Sequence, residues 1–322
     1  MRHDENVQLP LEIGLRIGEL VAAVPFPALK RAAAALSDAY RDCGDPRGLG
    51  LSPSERVAAY LVTRMPATYA AARAVLAEVC VRIGGAPLAT VLDVGAGSGA
   101  ASLAARACFP GLQRLTLVEP DAALADAGRQ FLPDAAWRSA DLRHPEPLPP
   151  HDLVVAAYSL GEVRPSEALD AALRMWQAAR AALVVIEPGS PAGFALVRAI
   201  RARLLDAGAC MLAPCPAAGP CPLPASDWCH FACRVERSSL HRRLKGAALG
   251  YEDEKFSYVA LARQSAVTAA ARIIRRPQHV PGLIALELCY GDRTAPIRVP
   301  RRDRDAFRAA RRAAWGDAWP PP

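Results

Sequence analysis

The residues of this 322-residue chain best suited to chemistry are its cysteines and one glycine-rich loop. Five of the nine cysteines, Cys210, Cys215, Cys221, Cys229 and Cys233, fall within 24 residues, a density that points to metal ligation in a reducing compartment. Cys215-x5-Cys221-x7-Cys229 lies between Ala213-Pro214-Cys215-Pro216 and Asp227-Trp228-Cys229-His230-Phe231, where prolines restrict the chain and suit it to hold thiolates in place. Zinc usually shows two tight C-x2-4-C knuckles, and here His230 or Cys233 would complete a zinc site only with irregular spacing. An iron–sulfur cube accepts wider spacing and often one distant cysteine. Cys289, next to Leu286–Leu288 in an apolar strand, is the distant candidate. A cluster, a zinc ion and unmetallated thiols all remain open at this point. Cys210 reads as a small buried hydrophobe, and Cys233, four residues after Cys229, as a fallback ligand on a shared helical face. Cys43, Cys80 and Cys108 are isolated and need no function.

The second constellation is Val91-Leu92-Asp93-Val94-Gly95-Ala96-Gly97-Ser98-Gly99, a strand, a tight turn and the start of a helix. Gly95, Gly97 and Gly99 give the turn its unusual dihedrals and let a cofactor approach the backbone. Glu119, at the end of the next strand, is placed to bond ribose hydroxyls. With Ala100 the loop also satisfies G-x-G-x-x-A, so a nicotinamide or flavin competes. Three features favour S-adenosylmethionine: Asp93 before the first glycine, facing the cofactor's amino-acid end; Asp141 after the third strand, facing the adenine amino group; and an antiparallel final strand. After the fourth strand stands Ala156-Ala157-Tyr158-Ser159-Leu160-Gly161-Glu162, with neither an Asn/Asp-Pro-Pro-aromatic run nor a Pro-Cys nucleophile. No catalytic residue is identified. Methyl transfer can proceed by positioning alone, because the sulfonium is already activated.

These residues need elements to position them. Residues 1–88 read as a helical region, with Ser52-Pro53-Ser54-Glu55 as a capping-box start and Pro66 as a kink or restart. Residues 89–262 read as a Rossmann-like α/β domain: short strands apolar on both faces alternate with amphipathic helices, implying a parallel sheet covered on both sides. The strands are expected at Thr90–Val94, Leu115–Val118, Trp137–Ala140, Leu153–Ala157, Ala182–Ile186, Ala209–Ala213 and Phe256–Ala262, with a cysteine-rich insertion over 210–255. Residues 263–322 form a basic extension with strand-like pieces (Ile273–Ile274, Leu283–Cys289, Ile297–Val299) and a final helix near Asp305–Ala314. The fold class is thus α/β, a class I S-adenosylmethionine-dependent methyltransferase sheet with helical and basic additions.

Composition bounds the partners. The net charge is +7, but residues 234–322 carry 18 basic against 9 acidic side chains, while the remainder is slightly acidic. The runs His241-Arg242-Arg243-Leu244-Lys245, Arg272–Arg276 and Arg298–Arg304 in one segment point to an RNA phosphate track, with Arg242, Arg243, Lys245, Arg275, Arg276, Arg301 and Arg302 as contacts. No RNP-like aromatic pair or glycine clamp signals sequence readout, and no DNA partner is expected. No run of 18 apolar residues suggests a membrane span. The N-terminus, with Asp4 and Glu5, has neither signal-peptide nor transit-peptide character, which places the chain in the cytoplasm.

Tyr60-x3-Arg64-Met65-Pro66-Ala67-Thr68-Tyr69, the Asp93–Gly99 loop, Glu187-Pro188-Gly189, the Ala213–Phe231 cysteine segment, Gly250-Tyr251-Glu252-Asp253-Glu254-Lys255-Phe256-Ser257-Tyr258 and Trp315-Gly316-Asp317 together resemble one family. It is the methyltransferase-like family of the small ribosomal subunit, mitochondrial and bacterial. The resemblance implies a class I methyltransferase fold carrying a [4Fe-4S] cluster, with Cys215, Cys221 and Cys229 as clustered ligands and Cys289 as the fourth. It also implies a role in small-subunit assembly or translation. The rival is a non-enzymatic assembly factor that binds ribosomal RNA and keeps the fold as scaffold.

Overall fold

The computed structural model describes residues 7–41, 48–85, 87–144 and 146–321; Cys43 lies outside them. Four helices come first: α1 (Leu11–Val21), α2 (Phe26–Arg41), α3 (Pro53–Thr63) and α4 (Met65–Arg82). The Ser52 hydroxyl accepts from the Glu55 amide while Glu55 accepts from the Ser52 amide, so the capping box forms. Pro66 then falls in the first turn of α4, where its missing N–H costs nothing, and the chain restarts rather than kinks. Ten residues of α4 are buried, because it lies between the sheet and the other helices.

The central sheet is built from β1 (Thr90–Val94), β2 (Arg114–Val118), β3 (Ala136–Arg138), β4 (His151–Ala157), β5 (Ala179–Pro188), β6 (Cys210–Ala213), β7 (Phe231–Glu236) and β8 (Tyr251–Ala262). Its order is β3-β2-β1-β4-β5-β8-β6, with β7 also paired to β8. β1 to β5 run parallel, while β8 runs antiparallel to β5, β6 and β7. That order, with its reversal between β1 and β4 and one antiparallel strand near the edge, is a class I methyltransferase sheet. Crossover helices α5 (Ala100–Cys108), α6 (Ala122–Arg129), α7 (Pro165–Ala178) and α8 (Pro191–Asp206) join the strands. Alternate residues of β1, β4 and β5 feed two separate apolar clusters, one on each face; this is why their sequences read as continuous apolar runs.

β8 organises the far edge. It pairs with β5 along Phe256–Ala262, while β6 (to Ala260–Ala262) and β7 (to Tyr251–Phe256) divide its other edge. The cysteine loop 214–230 leaves and re-enters the sheet where those two partners meet. β7 corrects the sequence reading: Cys233 lies in a strand rather than on a helix shared with Cys229. The missed signal was alternation, with Phe231, Cys233 and Val235 buried and Glu236 exposed. α9 (Ser239–Lys245) follows.

The last sixty residues form a second sheet of β9 (Ala271–Ile273), β10 (Gln278–Val280), β11 (Leu283–Cys289), β12 (Thr294–Pro300) and β13 (Ala318–Trp319). Along β11, Ile284, Leu286 and Leu288 enter a small core with Ala310 of α10 (Arg304–Arg312). Cys289 has the opposite parity, as does its register partner Arg272.

Candidate functional site: a nucleotide crevice and a thiol cavity

The glycine loop stands at the point where strand order reverses, the position at which open α/β sheets hold ligands. Gly95, Gly97 and Gly99 all adopt positive φ. At Gly97 (φ 55°) an added Cβ would stand 2.5 Å from the Tyr60 hydroxyl, so α3 closes over the loop and only glycine fits beneath it. Glu119 turns toward this loop: its carboxylate accepts from the Gly97 amide at 2.7 Å and the Asp121 amide at 2.8 Å. Asp93 is 1% exposed; one oxygen accepts from the Ser102 amide (3.0 Å) and hydroxyl (2.8 Å), and the other is buried with no hydrogen-bond partner. Burial raises its pKa to about 7 against those hydrogen bonds. Asp141 borders a cavity of about 60 Å³ lined also by Val94, Val118, Ala140 and Leu142. Hydrogen bonding from Arg143 lowers its pKa to about 2, so it stays ionised.

Sequence reasoning gave no weight of its own to several residues that close this crevice. Arg64, at the α3–α4 junction, pairs with Glu254 of β8 at 3.7 Å and lies over the rings of Tyr40 and Tyr158. Glu187, 1% exposed at the end of β5, accepts from the Leu160 and Gly161 amides with one oxygen, at 3.0 and 3.2 Å. Burial raises its pKa to about 8. The segment after β4 is given over to structure: the Ser159 hydroxyl donates to the Val94 carbonyl at 2.9 Å.

Cys215, Cys221, Cys229 and Cys289 line one cavity of about 50 Å³ between α8, β8 and the second sheet, together with Phe194, Leu223 and Ile274. A single water needs about 10–15 Å³ on this measure, so the space holds several atoms. Cys233 and His230 are not among its lining residues. Cys233 packs in the main core, while His230 stacks on Trp228 at 5.4 Å and meets Trp315 edge-on at 4.8 Å. Burial pushes the thiols of Cys215, Cys229 and Cys289 above their ordinary range, so a metal must displace their protons. Among the described residues no group of three or more His, Cys, Asp or Glu side chains stands close enough to hold a metal ion.

The loop around these thiols has no regular structure, and side chains satisfy its carbonyls. Arg201 donates to Ala217 (2.8 Å) and Gly219 (2.7 Å), Arg198 to Cys221 (3.4 Å) and Leu223 (3.5 Å). Arg272, 2% exposed, donates to Pro214 (2.9 Å), to Gly316 (2.9 Å) and to the Glu78 carboxylate (2.7 Å). Thr268 donates to Pro216 at 2.6 Å and Ser257 to Cys229 at 2.8 Å. Gly291 (φ 97°) completes the contact, because a Cβ there would stand 2.5 Å from that of Ala217. Nothing in the spacing of these arginines distinguishes them from surface ones.

The basic residues divide. Arg275 binds Asp227 of the cysteine loop through two contacts of 2.5 and 2.6 Å, and Arg276 pairs with Asp253 at 3.7 Å. Arg243 lies over the Phe26 ring and Lys245 donates to Ser37 at 3.3 Å, so the α9 run is partly engaged with α2. Arg242 is exposed there, and Arg301 and Arg302 are exposed in the turn before α10, on the other sheet. The seven residues therefore do not sit on one element or one layer.

Residues 54–320 match the family described as "Mitochondrial small ribosomal subunit Rsm22". The human protein "Ribosome assembly protein METTL17, mitochondrial" is 27% identical over 81% of this chain and 62% of its own length. "Rsm22-cox11 tandem protein 2, mitochondrial" of Schizosaccharomyces pombe is 24% identical over 82% of this chain and 43% of its own. The chain thus spans about half the length of these relatives. Among solved structures it is similar to magnesium protoporphyrin IX methyltransferase (ChlM) of Synechocystis with bound SAM, at 13% identity and TM-score 0.41, covering 81% of this chain and all of that one. It is also similar to the N-methyltransferase NodS of Bradyrhizobium japonicum, at 14% identity and TM-score 0.38, covering 59% of this chain and 93% of that one. The cytoplasmic placement taken from the first residues is overturned by the family and by the human and fission-yeast relatives, which are named as mitochondrial. The acidic side chains at the start of the chain report only on that segment. With residues 54–320 matched, well over half of its length, the chain belongs to the Rsm22 family of the mitochondrial small ribosomal subunit.

Proposed function

We propose that this protein acts on the small ribosomal subunit or its RNA, in assembly or translation, as a methyltransferase-fold protein that binds S-adenosylmethionine and a structural [4Fe-4S] cluster. The family match over 54–320 carries the ribosomal part of this reading, and the assembly role named for the human relative supports it. If the full chain, expressed with an affinity tag, fails to co-purify with small-subunit particles or their RNA, the ribosomal reading falls.

The crevice fits the first cofactor in three respects. Asp93 keeps a buried acceptor oxygen for an ammonium, the glycines let a ligand reach the backbone, and Asp141 stands ionised at a cavity of mixed lining, with Val94, Val118 and Leu142 to meet a ring and Ser139 and Arg138 to meet polar groups. Gly95, Gly97 and Gly99 would bring the backbone close, Glu119 would leave the Gly97 amide to take ribose hydroxyls, and Asp141 would take the adenine amino group. The cofactor supplies a methyl group already activated on sulfur. One observation favours the scaffold alternative: the Ser159 hydroxyl and the Glu187 carboxyl are committed to holding the turn after β4. Radiolabelled methyl transfer to assembling subunits separates them; a chain that binds cofactor and labels nothing is a scaffold.

Four cysteines from two distant segments of the chain line one cavity, which supports a shared metal group there. An iron–sulfur cube accepts wide ligand spacing along the chain and one distant cysteine. Cys215, Cys221, Cys229 and Cys289 would hold it, and its chemistry there is a set of iron–thiolate bonds linking the loop to the second sheet. Metal analysis of an anaerobic preparation decides: about four irons per chain supports the cluster, and one zinc supports the alternative.

A further inference from the structure

α8 presents Arg198 and Arg201 one turn apart to the cysteine loop, and the two are not equivalent. Arg198 meets Cys221 and Leu223 carbonyls, both loosely. Arg201 is 7% exposed, grips two carbonyls through a single nitrogen, Nη2, and leaves its Nε–H buried with no hydrogen-bond partner. A buried donor left unpaired is costly, the more so on a charged group. The same side chain lines the cavity with all four cysteines. Those cysteines come from both distant segments, the loop and β11, so Arg201 borders the whole set. Arg272, by contrast, does not line the cavity, and its nitrogens are spent on Glu78, Pro214 and Gly316.

Four thiolates around an iron–sulfur cube leave a net negative charge that grows when the cube is reduced. Net charge and hydrogen bonds to sulfur are two of the levers that set its potential. Resting on the reading that this cavity takes a cluster, we propose that Arg201 is its positioning residue: Nη2 fixes the loop, and the spare Nε–H and guanidinium charge face the cluster sulfurs, stabilising the reduced state.

The test uses the full chain, with wild type, Arg201→Lys, Arg201→Gln and Arg198→Gln reconstituted anaerobically with ferrous iron and sulfide. Iron per chain, melting temperature and reduction midpoint are read for each. Arg201→Lys is expected to keep its iron with a lowered midpoint, because the charge stays and the Nε–H is lost. Arg201→Gln is expected either to fall further in midpoint or to lose iron, while Arg198→Gln stays at the wild-type potential. Unchanged midpoints in both Arg201 variants overturn the proposal. So does equal loss of iron from Arg201→Gln and Arg198→Gln with a wild-type midpoint in Arg201→Lys, since the arginine would then only hold the loop. A wild-type chain that takes up no iron removes the cluster reading itself, before any variant is compared.

Discussion

The crevice and the thiol cavity are built in opposite ways. The floor of the crevice is local: Asp93, the three glycines and Glu119 come from one strand–turn–helix–strand run and bond largely within it, while Tyr60 and Arg64 close over it from the first helices. The cavity is assembled from a loop, a helix, the long strand β8 and a strand of another sheet. Local construction leaves a pattern in the sequence, whereas assembly from afar leaves only residue types. The crevice should therefore survive damage to the C-terminal sheet, and the cavity should not.

The sharpest way to break this comparison is Cys289→Ser. On the proposed reading a cluster would cross-link Cys229 to Cys289, a closure worth about 4 kcal/mol on the loop-entropy account. Bound iron should drop and the melting temperature fall markedly, while calorimetric titration with S-adenosylmethionine stays near wild type. Equal loss at both sites would mean that the two regions are one unit. Next is Arg272→Met, which removes three hydrogen bonds and one partner of Glu78 at once; Arg82 still pairs with Glu78 at 2.9 Å. A cost of about 3 kcal/mol is expected by denaturant titration, with the cavity affected before the crevice.

The crevice has its own signature in pH. Glu187 is raised to about 8 in the fold and is ordinary when unfolded, so the folded state holds its proton more tightly. Its stabilising contribution is complete below about pH 4.5 and is lost as pH rises through 8, at a slope of up to about 1.4 kcal/mol per unit. Glu187→Gln keeps one oxygen for the Leu160 and Gly161 amides and should flatten that slope, measured by denaturant melts across pH 5–9. A slope unchanged in this variant would assign the dependence elsewhere. The smallest effect on stability is expected from Arg301→Glu with Arg302→Glu, both exposed. This pair should leave melting unaltered while weakening ribosomal RNA binding and reducing its salt dependence; unchanged binding removes this turn from the RNA surface.

How much of this was legible follows the same division. The strands β1, β2, β4 and β5 stood out as apolar runs because both of their faces are buried. β7 was missed because Cys233 was weighed as a ligand rather than as one of three inward residues. Cys215, Cys221 and Cys229 were visible through spacing, but Cys289 was found only by resemblance and by its apolar strand. Arg201 and Arg272 were invisible: what sets them apart is the set of carbonyls they meet, and those belong to other segments. The basic runs were counted as one surface, yet Arg275 is turned inward onto Asp227.

The pleat of β11 gives Cys289 its address. Leu288 and Cys289 are neighbours in sequence but belong to different interiors, one shared with α10 and the other with the cysteine loop. Inserting one residue between Leu286 and Cys289 would exchange the two, sending a thiol into the aliphatic core and a leucine toward the three remaining thiols. Inserting two would restore the parity. In this stretch the reading frame of the strand matters more than its composition: odd length changes are forbidden, and even ones shift the cysteine along the same face.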